Sequence, residues 1–144
     1  ATPPSFTVTT TTSSASGGVV NGGGAVYSGG SVTLLAIANQ GYQFTHWSEA
    51  DAVVSQSQSL TFNATTNRAL VANFVPMVSI SHSGPGALNL AWPATATGWV
   101  LQESPDLSPA SWTSSSEAVT TDGVQNHVTI TNRAARRFFR LAYP

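Results

Sequence analysis

The chain has 144 residues, of which 41% are apolar and only 8% are charged; it contains five arginines, no lysine and six acidic residues, giving a net charge of −1. This composition excludes the usual nucleic-acid-binding classes, because binding to phosphates depends on clustered positive charge. Cysteine is absent, which excludes disulfides and thiolate metal sites, and no apolar run approaches the roughly 20 residues that insertion as a membrane-spanning helix requires.

The first predicted strand lies at residues 6–12, where Phe6 and Val8 share one face. Residues 1–5 resemble a linker, so the chain is expected to be a mature or excised piece of a longer protein. Residues 17–30 are rich in glycine. A phosphate-binding glycine loop leads from a strand into a helix, whereas here another strand follows, so we predict no nucleotide site.

The most apolar stretch, residues 29–47, predicts two strands joined by a turn. Residues 31–38 alternate with apolar residues on both faces, which indicates a strand that is at least partly covered on each side. Asn39, Gln40 and Gly41 supply the turn, since Gly41 can adopt the positive φ of a tight hairpin. In the next strand Tyr42 and Phe44 share a face. The stretch therefore predicts a β-hairpin.

Two further strands are predicted before the middle of the chain. Residues 57–63 alternate with Leu60 and Phe62 directed inward, and residues 68–74 place Leu70, Ala72 and Phe74 on one face. These strands complete a small sheet with little helix.

Residues 75–77 mark the predicted domain boundary, because Pro76 lacks a backbone N–H and restricts the residue before it. The second half has short alternating apolar segments at intervals of about 8–12 residues, which is typical of an antiparallel sandwich. The halves share no fixed repeat. The sequence thus predicts an all-β chain with two small domains in tandem, residues 1–75 and 76–144. Apolar residues of the second are Val78, Ile80, Leu88, Leu90, Trp92, Trp99, Leu101, Val119, Val128, Ile130, Phe139, Leu141 and Tyr143.

Three motifs in the first half carry a family resemblance. Gly-Ser-Val-Thr-Leu at 30–34, Gly-Tyr-x-Phe-x-x-Trp-Ser at 41–48 and Ala-Asn-Phe at 72–74 resemble the divergent B-repeat module related to internalin. The resemblance covers about residues 5–74. It implies a small β-grasp-like fold of a kind that occurs on secreted and surface proteins of bacteria as spacers, adhesive units or accessory modules.

A second resemblance covers about residues 77–144. Leu-Ala-Trp-Pro at 90–93, Gly-Trp-Val-Leu-Gln-Glu-Ser at 98–104, Ser-Trp-Thr at 111–113 and Phe-Phe-Arg-Leu at 138–141 resemble a fibronectin type III-like module found at the ends of large secreted bacterial proteins. It implies an antiparallel β-sandwich. Together the two resemblances imply a secreted or cell-surface location in a bacterium.

The polar residues do not form a recognisable catalytic pattern. No Gly-x-Ser-x-Gly turn or histidine spacing typical of a metal site occurs. Glu49 and Asp51 are the nearest carboxylates in sequence, yet a small β module provides little wall for a glycosidase cleft. A surface calcium ion at Glu103, Asp106 or Asp122 stays open as an alternative, although calcium loops usually concentrate more ligands. We expect no enzyme activity, no cofactor and no metal.

The aromatic residues favour recognition of a polysaccharide. Sugar faces stack on aromatic rings, while sugar hydroxyls bond to amides and charged groups. Phe44, Trp47, Trp92 and Trp99 occupy positions that predict burial. The candidate carbohydrate-binding residues are therefore Trp112, Tyr27 and Tyr143, with His46, Gln102 and Arg137 as polar neighbours.

The arginines cluster near the end of the chain, at positions 133, 136, 137 and 140. A guanidinium fork fits sulfate or uronate groups, so the polysaccharide could be an anionic one. For Arg140, the alternative is an ion pair with a carboxylate.

The function predicted from the sequence is that of a monomeric, non-catalytic accessory region. It would bind polysaccharide and keep an attached catalytic domain, a carbohydrate-active enzyme, near its substrate, because tethering raises the effective concentration of the enzyme. The alternative is a structural spacer or an adhesive module that binds protein or no ligand.

Overall fold

The computed structural model describes residues 1–131 and 136–144, and the chain divides into two compact units, Ala1–Val75 and Pro76–Pro144. The described residues form β-strands and a 3-10 helix at Pro109–Ser111, without an α-helix. The all-β class is therefore confirmed. Within these residues, no helix has the length and apolar character needed to cross a bilayer.

The first unit has two sheets. A five-stranded sheet has the order β3-β1-β8-β5-β6, and a three-stranded sheet has the order β2-β4-β7. Strands β1 and β8 pair in parallel, whereas β4 pairs antiparallel with both of its neighbours. The strands are β1 (Ser5–Thr12), β2 (Gly18–Asn21), β3 (Gly24–Tyr27), β4 (Ser31–Ala38), β5 (Tyr42–Glu49), β6 (Ala52–Ser55), β7 (Ser59–Asn63) and β8 (Arg68–Pro76).

The core of the first unit combines residues of both sheets. Trp47 is fully buried, and its ring lies 5.9 Å from that of Phe44, which in turn contacts Phe74. The inward residues predicted on residues 57–63 pack against this core, and those on 68–74 belong to it. The buried cluster consists of Val8, Val32, Leu34, Ala36, Trp47, Ala64, Leu70, Ala72 and Phe74.

The predicted hairpin at residues 29–47 is wrong. The turn forms as expected, with Gly41 at φ 82° and the Tyr42 N–H donating to the Asn39 carbonyl at 3.0 Å. However, the two strands then enter different sheets, since β4 pairs with β2 and β7 while β5 neighbours β8 and β6. Facing layers allow the apolar face of β4 and the aromatic residues of β5 to bury against each other, which edge-to-edge pairing would not do.

Strand β4 was predicted to be at least partly covered on both faces, but its outer face is accessible to solvent. Its residues alternate between buried and accessible, with Leu34 fully buried and Leu35 41% exposed. Ile37 is likewise exposed. The strand is therefore covered on one face only, as is usual in a two-layer β structure.

The second unit also has two sheets. Their orders are β13-β14-β10-β9 and β12-β11-β15, and their assigned pairs are antiparallel. This arrangement agrees with a small β domain, while the specific fibronectin type III-like and β-grasp-like folds stay predictions. The strands are β9 (Ser79–Gly84), β10 (Ala87–Pro93), β11 (Val100–Ser104), β12 (Thr113–Ser114), β13 (Thr120–Thr121), β14 (Gln125–Ile130) and β15 (Phe138–Ala142).

Burial in the second unit centres on β10, β11 and β14. Leu90, Trp92, Leu101, Val128 and Ile130 are buried there. Strand β9 is different, because all its residues are exposed, including the predicted apolar position at 80. The alternating pattern thus located this strand but did not identify a buried face.

A tight turn joins β13 to β14 and is organised by Asp122. Its Oδ1 accepts hydrogen bonds from the backbone N–H groups of Val124 and Gln125 at 2.8 and 2.7 Å. Its Oδ2 lies 3.1 Å from Nε2 of His127. Because these bonds favour the charged carboxylate, they lower the pKa of Asp122 from 3.8 to about 2. The bond from the Gln125 N–H makes the largest contribution.

Leu34 and Leu35 provide a matched pair for testing the burial of β4. We expect Leu34→Ala to lower the free energy of unfolding of the first unit by about 2–5 kcal/mol, because it leaves a cavity in the core. Leu35→Ala should cost less than about 1 kcal/mol, since that side chain is largely exposed. Urea unfolding, followed by the NMR signals of residues 1–75, measures both. Equal losses would contradict the assigned faces.

The Asp122 turn predicts acid sensitivity of the second unit. Because the pKa of Asp122 is lower in the folded state, its contribution is complete above about pH 4 and is lost as the pH falls towards 2. Asp122→Asn should therefore be less stable than the wild type near pH 7, and the difference should shrink below about pH 4 and become small near pH 2. The urea midpoints of both proteins, measured across this pH range, test the prediction. A difference in midpoint that does not change with pH would contradict the lowered pKa of Asp122.

Candidate functional site

The structure distributes the six predicted site residues over both units. Tyr27 and His46 lie in the first unit, while Gln102, Trp112, Arg137 and Tyr143 lie in the second.

In the first unit the two candidates stand apart. Tyr27 is 60% exposed at the end of β3, beside a shallow recess of about 240 Å³ formed with Ser5, Ala25 and Val26. His46 lies on β5, which two strands separate from β3. At about 4.8 Å per strand, this separation prevents the two side chains from acting as direct neighbours. His46 instead bonds through Nδ1 to Oγ1 of Thr45 at 3.0 Å.

Arg137 is held inside the second unit by two carboxylates. Its Nη1 donates to Oε1 of Glu117 at 2.7 Å, and its Nη2 donates to Glu103. Glu103 also accepts a hydrogen bond from Ser115 at 3.0 Å. Both hydrogen bonds raise the pKa of Arg137, and the bond to Glu103 contributes more than the bond to Glu117. The guanidinium is therefore committed to this network, and its contacts indicate a structural role.

Gln102 and Trp112 do come together, through Arg140. The Arg140 Nε donates to Oε1 of Gln102 at 2.9 Å, and its guanidinium carbon lies 4.3 Å from the centre of the Trp112 ring. We call Gln102, Trp112 and Arg140 the Trp112 platform. Arg140 forms no ion pair with a carboxylate among the described residues, so the alternative of such an ion pair is wrong.

Strand alternation places this platform on the outer face of its sheet. Leu101 and Leu141 are directly opposite each other on β11 and β15, and Leu101 is buried. The next pair along the strands, Gln102 and Arg140, must then face the other side, because successive side chains alternate. Arg140 is accordingly exposed.

A buried serine positions the loop that leads to Trp112. Oγ of Ser104 accepts hydrogen bonds from the N–H groups of Asp106 and Leu107 at 3.2 and 3.0 Å, and it also bonds to Ser111. Hydrogen bonds from Ser111 and Ser108 lower the pKa of Asp106, and the bond from Ser111 makes the largest contribution. The loop thus fixes the residue before Trp112. No pattern in the sequence indicated this role of Ser104, because a serine in a strand gives no signal of burial.

Tyr143 belongs to a different part of the second unit. It is largely exposed, and its ring lies 5.8 Å from that of Trp99. Gly98 allows this contact, since a Cβ at that position would lie 2.8 Å from Cε2 of Tyr143. The structure therefore pairs Tyr143 with Trp99, which is only partly buried.

The acidic residues are engaged by neighbouring groups. Glu49 binds Arg68 at 2.6 Å, so the carboxylate pair considered for glycoside hydrolysis is partly neutralised. The calcium candidates Glu103, Asp106 and Asp122 each accept hydrogen bonds within the second unit. Across residues 1–131 and 136–144, no three histidine, aspartate or glutamate side chains lie close enough to hold a metal ion.

Two of the four clustered arginines are available at the surface. Arg136 and Arg140 are exposed, whereas Arg137 is bound to glutamates. Arg133 lies outside the described residues.

Comparison with known proteins supports the first module. Residues 8–77 match the family described as divergent InlB B-repeat domain, in agreement with the resemblance at residues 5–74. That family is associated with bacterial surface or secreted proteins. No curated protein and no solved structure matches the chain. The fibronectin type III-like assignment of the second half stays a prediction.

Arg137 and Arg140 should respond differently to the same substitution. We expect Arg137→Gln to lower the free energy of unfolding of the second unit by about 1–3 kcal/mol, because two charge-assisted hydrogen bonds are lost. Arg140→Gln should cost less than about 1 kcal/mol, since its side chain is exposed. Urea unfolding of both variants measures this difference, and a reversed order would contradict the two roles.

Proposed function

We propose that the chain is a non-catalytic accessory region of a bacterial surface or secreted protein, and that its Trp112 platform binds an anionic polysaccharide. The observation that carries this proposal is the position of the Arg140 guanidinium, stacked 4.3 Å from Trp112 and bonded to Gln102 only through Nε. The two terminal nitrogens have no hydrogen-bonding partner within the described part of the chain. They are suited to a carboxylate or sulfate group.

Contacts within the platform restrict the conformation of Arg140 before any ligand binds. Stacking on Trp112 and the bond to Gln102 restrict the otherwise flexible Arg140 side chain. A side chain that is already ordered loses less conformational entropy on binding. This favours recognition by Arg140 over recognition by Arg136, which is exposed and has no assigned contact with the described residues.

The open face favours a polymer over a small anion. Gln102 lies opposite Ser114 of β12 as well as Arg140, so an amide and a hydroxyl adjoin the guanidinium. These groups can bond to sugar hydroxyls, while the edge of Trp112 offers an apolar contact. Because the net charge is −1, the protein as a whole does not attract polyanions, and binding has to depend on this local site.

Binding of this kind would serve an attached catalytic domain. Each platform contact is weak by itself, but a polymer with repeated charged groups lets the protein rebind before it diffuses away. An enzyme in the same protein would then stay near its substrate.

The alternative function is that of an adhesive or spacer module. An exposed apolar patch on the first unit favours it, formed by Val19 of β2 with Leu35 and Ile37 of β4. Val19 and Ile37 are cross-strand partners. Contiguous exposed apolar residues often mark contact with another protein.

Affinity electrophoresis tests the polysaccharide proposal. Native gels would contain alginate or dextran sulfate as anionic polymers, and dextran or hydroxyethylcellulose as neutral ones. We expect the anionic polymers to retard the wild type most strongly. Arg140→Gln and Trp112→Ala should each weaken this binding about tenfold or more, because they remove the guanidinium or its support.

Arg136→Gln is the matched control, since it removes the same charge from an exposed position outside the platform. It should change the affinity less than about twofold. An equal loss in this control would indicate general charge attraction and contradict the platform. Loss only in Tyr27→Ala would move the site to the first unit. No retardation by any polymer would contradict the proposal and favour the spacer or adhesive function.

A further inference from the structure

A cleft of about 260 Å³ lies within the second unit, apart from the residues of the Trp112 platform. Both sheets contribute to it: Trp92 of β10 and Asn126 of β14 come from one, and Leu101 of β11 and Ser114 of β12 come from the other. Ser114 and Val119 are exposed, so the rim is accessible from solvent. We call it the Trp92 cleft.

Trp92, one of the residues that line the cleft, carries an unsatisfied hydrogen-bond donor. Trp92 is only 2% exposed, and its indole Nε1 has no hydrogen-bonding partner among the described residues. Indole nitrogen can only donate, and leaving a buried donor unpaired is costly. Most buried polar groups in proteins are paired with protein, water or ligand. An acceptor oxygen in the cleft would therefore complete this site.

The other polar groups of the cleft favour an uncharged ligand with hydroxyl groups. Among the described residues that line the cleft, Glu117 alone is charged, and its carboxylate is bound by Arg137 at 2.7 Å. The Arg137 guanidinium is already paired with Glu117 and Glu103, so it is not free to bind an anionic ligand, whereas the Glu117 carboxylate can accept further hydrogen bonds from hydroxyls. The Asn126 amide can both donate and accept hydrogen bonds.

The volume of the cleft and its aromatic wall narrow the class of ligand further. Pockets for drug-sized ligands start at about 300 Å³, so a cleft of about 260 Å³ suits one ring and not a chain of rings. Trp99 supplies an aromatic surface, and its contact with Tyr143 at 5.8 Å holds it in place. Such a surface packs well against the C–H groups of a sugar ring.

We propose that the Trp92 cleft binds a single neutral sugar ring, with the Trp92 N–H donating to a ring or hydroxyl oxygen of the sugar. No residue of the platform lines the cleft. This proposal therefore does not depend on binding of an anionic polymer, and either one can fail without the other.

The indole N–H signals in NMR spectra of the whole chain test the proposal. The four tryptophans give four such signals, and Trp92→Phe identifies the signal of Trp92 by its loss. The probes are D-glucose, D-galactose and N-acetyl-D-glucosamine, with D-glucuronate as the anionic counterpart. We expect at least one neutral sugar to shift the Trp92 signal in a saturable way at millimolar concentration, as a ligand of this size allows.

Variants of the polar wall locate the ligand. Asn126→Ala should raise the Kd of that sugar about tenfold, because one hydrogen bond is lost. Asn89→Ala is the control: it lies on β10 outside the cleft and should leave the Kd within about twofold. If Asn126→Ala does not fold, Val119→Ala at the exposed rim should still raise the Kd about threefold, because an apolar contact is lost.

Three results would overturn the proposal. Without a saturable shift for any neutral sugar, the acceptor of Trp92 is a water molecule only. Equal or tighter binding of glucuronate would contradict a neutral ligand. Unchanged Kd values in the folded wall variants would place the sugar elsewhere.

Discussion

Each strand of a two-layer β structure can bury only one of its faces, and most features of this chain depend on that constraint. In the first unit, Leu34 is buried on β4 while its neighbour Leu35 is not. In the second unit, burial of Leu101 on β11 obliges Gln102 and Arg140 to face outward. The same alternation that forms the core therefore also sets which side chains are available for recognition.

Charge is scarce in this chain, and the described arginines have separate roles as a result. Arg68 binds Glu49 and lies 4.4 Å from the Phe62 ring, and Arg137 joins Glu103 to Glu117. Both guanidinium groups are occupied by their own protein. Arg140, in contrast, is held by neutral groups and keeps its charge uncompensated at the surface.

The second unit presents two surfaces with opposite chemistry. The platform is open and carries a guanidinium, which suits carboxylate or sulfate groups. The Trp92 cleft is lined by residues of both sheets and carries an unpaired indole donor, and its Glu117 carboxylate is already paired with Arg137. A polymer segment and a single sugar ring differ in both charge and size, so the two sites would distinguish between them.

Local patterns in the sequence determined the all-β class, most strand positions and the positive φ at Gly41, because strand alternation and turn chemistry depend on neighbouring residues. They also identified the burial of Trp47 and Trp92. Tertiary structure alone decided that β4 and β5 occupy different sheets, since strand pairing depends on which apolar faces meet across the core. The tertiary structure also decided which residues come together in the candidate sites. Gln102, Trp112 and Arg140 come from three separate segments, and only their folded positions show which arginine is bound and which remains exposed.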